Sequence, residues 1–409
     1  MMEDRFAHLY NTWVQQTQSS AIRDMCALVQ DPEIKSLAGG WPDPTLFPGE
    51  EISQITTELL ADKPHLVLQY GVTEGVPALR QVMAERARKL YGINCSEDEI
   101  FIGQGSQQAT DLATRLFVAP GDGVMVGLPT YVGGTGAISL QTGKAVGIPV
   151  DEEGINTDLM EEKLTQLTQI GERVRAAYVI PNFQNPTGVT MTLSRRKRLL
   201  KLAQTYDFIV FEDDAYGDLR YEGQAPPTLK ALDENGRVIH MHSLSKIFCP
   251  GMRLAWVVAD AGVINRMATA RQFVDTCTNT LAQYVLLEYI QRGLLDKNLQ
   301  PILSHYCRKR DFMLSQLERH FPDEVKWNRP EGGFFIWVRL PEPLDGSDVL
   351  KAAINQKVVF VPGSAFYIDG GGRNTIRLSF AQVDEETIEV AVGALGKIIK
   401  GKLTQLPSA

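Results

Sequence analysis

The segment Ser243-Leu244-Ser245-Lys246-Ile247-Phe248-Cys249-Pro250-Gly251-Met252-Arg253 directly follows the apolar run Val238-Ile239-His240-Met241. A lysine at the end of such a run, flanked by two hydroxyls and followed by a Pro-Gly turn into an arginine, suits covalent chemistry on a carbonyl. Burial and neighbouring cations lower an amine's pKa and leave a nucleophile able to form an imine, while Ser243, Ser245 and Arg253 can bind a phosphate. A surface lysine closing a strand carries the same short pattern, so other segments must decide between the two.

Phe211-Glu212-Asp213-Asp214-Ala215-Tyr216 places acids at the end of another apolar run, Phe208 to Phe211. A buried carboxylate is costly unless it meets a cation, and a protonated pyridine nitrogen is such a cation. Asp213 opposite that nitrogen would keep the ring an electron sink; a helix cap or a magnesium ligand is the alternative use. Pro181-Asn182-Phe183-Gln184-Asn185-Pro186-Thr187-Gly188 reads as a rigid loop that aims Asn185 at a phenolate oxygen, or as a plain tight turn. In Gly103-Gln104-Gly105-Ser106-Gln107-Gln108, the amides of Ser106 and Gln107 at a helix start would hold a phosphate, although the third glycine of a dinucleotide fingerprint is missing. His240 and His242 share one face of a strand with no further ligand at a suitable spacing, so they read as core histidines and no metal site is expected.

These residues need elements to position them. Short Val- and Ile-rich runs alternate with helical stretches at Glu99 to Ile102, Gly123 to Leu128, Lys144 to Val150, Ala176 to Ile180, Phe208 to Phe211, Val238 to Met241 and Leu254 to Val258. Leu193 to Ala203 reads as a crossover helix with Ser194 as its N-cap. The expected class is α/β: a large doubly wound, mainly parallel sheet domain, with ligands beyond the carboxyl ends of its strands, plus a smaller α+β domain. The smaller domain should hold a helix through Leu303 to His320 and a strand at Phe334 to Val338. The expected division is an arm at 1–45, with an amphipathic stretch from Asn11 to Gln30, a large domain at 46–295 and a small domain at 296–409. The arm is too short for a domain and should pack on the small domain and on a partner subunit.

Composition narrows the classes further. The 409-residue chain carries a formal net charge of -8, which argues against nonspecific nucleic-acid binding and favours small-molecule partners. Five scattered cysteines without a C-x-x-C pair suggest neither a disulfide framework nor zinc, and a cytoplasmic setting is expected. Neither a signal peptide nor a run of about 18 apolar residues is evident, so no membrane association is expected.

Taken in order, Asn-Pro-x-Gly at Asn185, Asp-x-Ala-Tyr at Asp213 and Ser-x-Ser-Lys with Pro-Gly-x-Arg at Lys246 resemble the pyridoxal-phosphate aminotransferases of fold type I. The resemblance runs from about Ser36 to Ala381. It implies that Lys246 forms the imine with the cofactor and shuttles the proton between the substrate Cα and the cofactor C4′. Asp213 would pair with the ring nitrogen, and Asn185 and Tyr216 would hydrogen-bond the ring oxygen. Tyr131 would stack on the ring, and Ser106, Gln107, Ser243, Ser245 and Arg253 would hold the phosphate. Tyr70 in Gln69-Tyr70-Gly71 looks like a phosphate ligand reaching over from a second subunit of a homodimer with shared sites, and Arg377 matches the arginine that grips the substrate α-carboxylate. Apart from the family, Arg377 would read as a surface salt bridge and the two tyrosines as ordinary packing.

Ser19-Ser20-Ala21-Ile22-Arg23, followed by Leu37-Ala38-Gly39-Gly40 and Pro42, is similar to the branch with 2-aminoadipate, kynurenine and aromatic or branched-chain aminotransferases. On that resemblance Gly39 and Gly40 would let backbone approach the substrate, and Arg23 would meet an acidic side chain or stand solvated. The expected reaction is ping-pong transfer from an L-amino acid to a 2-oxo acid such as 2-oxoglutarate. A lyase or decarboxylase on the same fold is the alternative enzyme. The non-enzyme alternative is a cofactor-sensing regulator, disfavoured because only about 45 residues precede the Gly-Gly turn, where an independent DNA-binding domain typically needs about 50 or more.

Overall fold

The computed structural model describes residues 5–11 and 33–405. In chain order its strands are β1 (Lys35–Ser36), β2 (Ile100–Gly103), β3 (Gly123–Leu128), β4 (Lys144–Asp151), β5 (Gly154–Ile155), β6 (Val174–Val179), β7 (Ile209–Asp214), β8 (Val238–Ser243) and β9 (Ala255–Val258), then β10 (Lys326–Trp327), β11 (Phe335–Arg339), β12 (Val358–Val359), β13 (Val361–Pro362) and β14 (Thr375–Ser379). Strands β2 to β9 form an eight-stranded sheet in the order β2-β9-β8-β7-β6-β3-β4-β5. Its central strands β4, β3, β6, β7 and β8 are parallel, and β9 runs against both β8 and β2. The α/β reading therefore holds. Crossover helices connect the parallel strands, whereas the short link from β8 to β9 suffices because that pair is antiparallel. Lys246 and Arg253 both ride on this link.

Burial explains the strand composition. Strands β2 and β8 are buried at every position and β3 at all but its last, so they read as continuous apolar runs with helices on both faces. Separate apolar clusters lie on the two faces, one around Phe101, Tyr178, Phe211 and Met241, another around Met125, Val179, Leu199 and Val210.

Strand β7 runs on through Glu212, Asp213 and Asp214 instead of stopping at Phe211. Acids are poor strand formers, but each of these has a buried partner: Glu212 meets His240, Asp213 meets Tyr178 and Asp214 meets Asn182. The crossover helix α1 (Leu193–Thr205) is capped by Thr192, which accepts from the Arg195 amide, and Ser194 lies inside the first turn. The long helix α2 (Leu294–His320) begins nine residues before Leu303 and continues through Pro301.

A second, antiparallel sheet in the order β10-β11-β14-β13 lies with α2 and α3 (Glu385–Thr404). The segment before it in space is the early chain: β1 pairs in parallel with β12, and the Leu37 amide bonds to the Val359 carbonyl. Asp43 then accepts from Lys309 at 2.6 Å and from His305 at 2.9 Å, while its amide donates to the Tyr306 hydroxyl. These bonds pin Leu37 to Asp43 across the mouth of the large sheet. Arg23 and the stretch from 12 to 32 lie outside the described residues.

Candidate active site

A cavity of about 220 Å³ opens beyond the carboxyl ends of the parallel strands. It collects Asp213 from β7, Ser243 at the end of β8, Ser245, Lys246 and Arg253 from the link to β9, Ser106 and Gln107 after β2, Tyr131 after β3, and Asn185 after β6. Tyr216, Gly40 and Arg377 complete the group. Twelve positions singled out from sequence thus meet in one place. Three do not: Tyr70 is 81% exposed and outside the lining, Gly39 faces Trp41 and Gln382, and Arg23 lies outside the described residues.

Lys246 Nζ donates to the Gly40 carbonyl at 2.8 Å and stands 5.9 Å from the Tyr216 ring centroid. Burial lowers its ammonium to about 8, with Arg253 and Arg377 adding to the effect and Asp213 opposing it. Asp213 responds in the opposite sense, because burial penalises its charge. Its carboxyl is pushed up to about 6 by burial and by Asp214, against the pull of Tyr178, His240 and His242. Asp213 Oδ1 is buried with no hydrogen-bond partner among the described residues, while Oδ2 accepts from the Tyr178 hydroxyl at 2.6 Å. An unpaired buried carboxylate oxygen facing a cavity is a place for a cationic donor.

The phosphate-type donors share one corner. A Cβ on Gly105 would lie 2.4 Å from Arg253 Nη2, and the Gly105 φ of +84° also disfavours a side chain. Glycine therefore lets the Arg253 guanidinium reach the start of the Ser106–Phe117 helix. The first amides of that helix have no preceding helical carbonyl to bond. Ser243 Oγ accepts from the Ser245 amide at 3.3 Å. Opposite this corner, Arg377 is 1% exposed and donates to Asn185 Oδ1 at 2.8 Å and to the Ala38 carbonyl at 2.5 Å. Its guanidinium carbon lies 4.2 Å from the Phe335 centroid and 4.9 Å from that of Phe366. Arg377 is thus no surface salt bridge.

Period-two alternation separates the acids of β7 onto two faces. Asp213 shares a face with Phe211, whereas Glu212 and Asp214 register with His240 and His242. His240 Nδ1 lies 2.9 Å from Glu212 Oε2 and His242 Nε2 lies 3.0 Å from Asp218 Oδ2. Burial disfavours the His240 cation, but Glu212 outweighs it and raises the pKa. Asp214 Oδ2 is 3.9 Å from His242 Nδ1, wider than the spacing of about 3.3 Å that bonds of about 2.0 Å give around tetrahedral zinc. Asp214, His240 and His242 each place one ligand-type atom within 4.8 Å of the others, and both histidines are buried with carboxylate partners.

Sequence reasoning missed Tyr178 and Phe335 as wall or support residues. The signal for Tyr178 was faint: a lone hydroxyl in an apolar strand three residues before Pro181.

Residues 47–395 match the family model for aminotransferase class I and II. The chain is 45% identical over 386 residues to aromatic-amino-acid aminotransferase 1 of Thermococcus litoralis, covering 94% of this chain and 93% of that one. It is 39% identical over 389 residues to a 2-aminoadipate transaminase of Thermus thermophilus, covering 94% and 95%. The crystal structure of a Pyrococcus horikoshii kynurenine aminotransferase in complex with PMP is similar at a TM-score of 0.94 and 43% identity, over 98% of this chain and 99% of that one. The chain belongs to the class I and II aminotransferases, enzymes that use pyridoxal phosphate to move amino groups between amino acids and oxo acids.

Proposed function

We propose that the twelve converging residues hold pyridoxal phosphate and an L-amino acid in the roles their chemistry suggests. The residues fit this cofactor: a buried carboxylate oxygen lacks a partner, a buried lysine has a depressed pKa, and an arginine joins a helix start. Asp213 would meet the ring nitrogen, Asn185 and Tyr216 the ring oxygen, and Tyr131 the ring face. Ser106, Gln107, Ser243, Ser245 and Arg253 would hold the phosphate. Arg377 would grip the substrate α-carboxylate.

When bound, the cofactor supplies an electron sink for the charge left at the substrate Cα. Lys246 would hold the cofactor through Nζ, and as a free amine the same Nζ would take and return the proton at the substrate Cα. Arg377 holds the substrate so that its Cα–H faces that nitrogen. Asp213 stays ionised to keep the ring nitrogen protonated.

Convergence of Lys246, Asp213 and Arg377 in a single cavity carries this reading. The walls Trp41, Tyr131, Ile180 and Phe335 are aromatic or apolar. With Lys246 and Arg253 engaged on the cofactor, Arg377 is the remaining cation among the described lining residues. That supports aromatic or branched-chain donors; 2-aminoadipate would need a further cation, the role expected of Arg23. Exposed Tyr70, with Leu68 and Val72 exposed beside it in sequence, supports a homodimer in which each copy completes the other's site. The division at 45 and 295 is part of the same reading: the eight-stranded and the four-stranded sheet each lie within one segment, while β1 ties the arm to β12 of the small domain. No helix among the described residues is long and apolar enough to cross a membrane. Cys95, Cys249, Cys277 and Cys307 are free, which supports a cytoplasmic setting.

The cofactor-loaded protein should lose its visible absorption band on mixing with a donor amino acid and regain it with 2-oxoglutarate. Aromatic, branched-chain and 2-aminoadipate donors are compared separately. Pyruvate and ammonia without recovery of the band would instead mark a lyase.

The Lys246 pKa gives a second expected result. An amine with a conjugate acid near 8 is neutral above that pH, so cofactor uptake by the cofactor-free protein should accelerate as pH rises and level off above about 8. A rate still climbing towards pH 10 would mean an unperturbed lysine.

A further inference from the structure

The two oxygens of Asp213 have unlike surroundings. Oδ1 is without a partner among the described residues, whereas Oδ2 accepts the Tyr178 hydroxyl at 2.6 Å. Tyr178 lies on β6, is 1% exposed and is outside the lining of the cavity. A Cβ on Gly134 would come within 2.4 Å of the Tyr178 ring, so the helix Val132–Leu140 backs the ring closely. A phenol held from behind and bonded in front fixes the carboxylate rotation and leaves Oδ1 for the cavity.

We propose that Tyr178 is a positioning residue for amino-group transfer: its hydroxyl orients the Asp213 carboxylate and keeps it ionised opposite the cofactor ring nitrogen. The proposal rests on the aminotransferase reading above and adds a residue to it. A neutral hydroxyl bonded to a carboxylate favours the ionised form, and here it acts against burial. Burial and Asp213 together hold the Tyr178 phenol well above its usual value, so it remains a donor throughout the working pH range. Tyr178 from β6 bonds Asp213 on its own face, while the charges of Asp214 on β7 and of His240 and His242 on β8 act on it from the other face of the sheet. Lys246, Tyr131 and Tyr216 face it across the cavity. Both histidines are engaged with other carboxylates, Glu212 and Asp218. Tyr178 is thus the side chain bonded directly to Asp213.

The test uses the cofactor-loaded protein with Tyr178→Phe, which keeps the ring against Gly134 and removes only the hydroxyl. Without that donor the Asp213 carboxyl rises, so the acid limb of the kcat–pH profile moves to higher pH, by about one unit. Near neutral pH kcat should fall about tenfold or more with little change in the KM of the amino donor. The pyridoxal phosphate dissociation constant, read by spectral titration, should rise several-fold. Site-specific 3-fluorotyrosine at position 178 is the second variant; its more acidic phenol donates more strongly and should move the acid limb to lower pH. A folded Tyr178→Phe with unchanged kcat, acid limb and cofactor affinity would overturn the proposal. So would an unmoved acid limb in the fluorinated protein, which decides the matter should the phenylalanine variant not fold. A wild type that exchanges no amino groups overturns the aminotransferase reading itself, whereas a working wild type beside an indifferent Tyr178→Phe overturns the role of Tyr178 alone.

Discussion

Lys246→Ala is expected to lower turnover by about ten-thousandfold, the upper range of what a positioned proton carrier contributes. The variant should still take up pyridoxal phosphate, because the Ser106, Gln107, Ser243, Ser245 and Arg253 corner is untouched. What it loses is the covalent link and the amine that meets the substrate Cα. Lys246 is the lysine among the described residues lining the cavity, so no neighbour is placed to take over. Its amine owes its reactivity first to burial and then to Arg253 and Arg377. Absorption spectroscopy with borohydride reduction checks the first half of the expectation: the variant should bind cofactor that washes out after reduction. Added small amines should restore part of the rate by entering the space left beside the Gly40 carbonyl. Persistence of a reducible covalent band, or near-normal turnover, would assign the cofactor to another lysine and sink the proposed mechanism.

The lysine was readable because its chemistry depends on a local string, Ser243 to Arg253, that a single strand-to-strand link presents as a unit. Seven of the eight strands of the large sheet were readable for a similar reason, and the two-residue β5 was not. Strands β2, β3 and β8 are buried along nearly their whole length, and β3 matches its expected limits at Gly123 and Leu128. Ends were less legible wherever a tertiary partner overrode local preference. Glu212 to Asp214 stay in β7 only because His240, Tyr178 and Asn182 come from elsewhere in the chain. At the start of α1, two hydroxyls competed, and the threonine two positions earlier took the cap.

Backbone contributions could not be read from residue types at all. The Ala38 and Gly40 carbonyls accept from Arg377 and Lys246, the two cations that a substrate and cofactor would engage. Which carbonyls occupy those places follows from β1 pairing with β12 and from Asp43 meeting Lys309 across more than 260 residues of sequence, at a separation of 266. Tyr178 was hidden differently. A tyrosine in an apolar strand usually serves as packing, and only the register that sets Tyr178 beside Phe211 brings its hydroxyl to Asp213.

Arg377→Lys is the second large effect, with kcat/KM for an amino acid expected to fall about a hundredfold to a thousandfold. The guanidinium is buried, bonded to Asn185 Oδ1 and the Ala38 carbonyl, and set against the Phe335 and Phe366 rings. A lysine ammonium is a point charge that cannot present two parallel donors to a carboxylate, and it stacks poorly on the rings. It also leaves buried acceptors short of a donor, which costs more than the lost bond alone. The loss should appear mainly in KM, since the α-carboxylate bond forms in the bound substrate as well as in the transition state. The cofactor band should be unchanged, because Arg377 is not among the residues expected to hold the cofactor. A substrate amine lacking the α-carboxylate separates positioning of the substrate from damage to the site. If Arg377 grips the carboxylate, wild type and variant process that amine at equal, low rates while differing on the amino acid. Equal losses on both would make Arg377 a structural cation of the Phe335–Phe366 wall and leave the carboxylate anchor to be sought elsewhere.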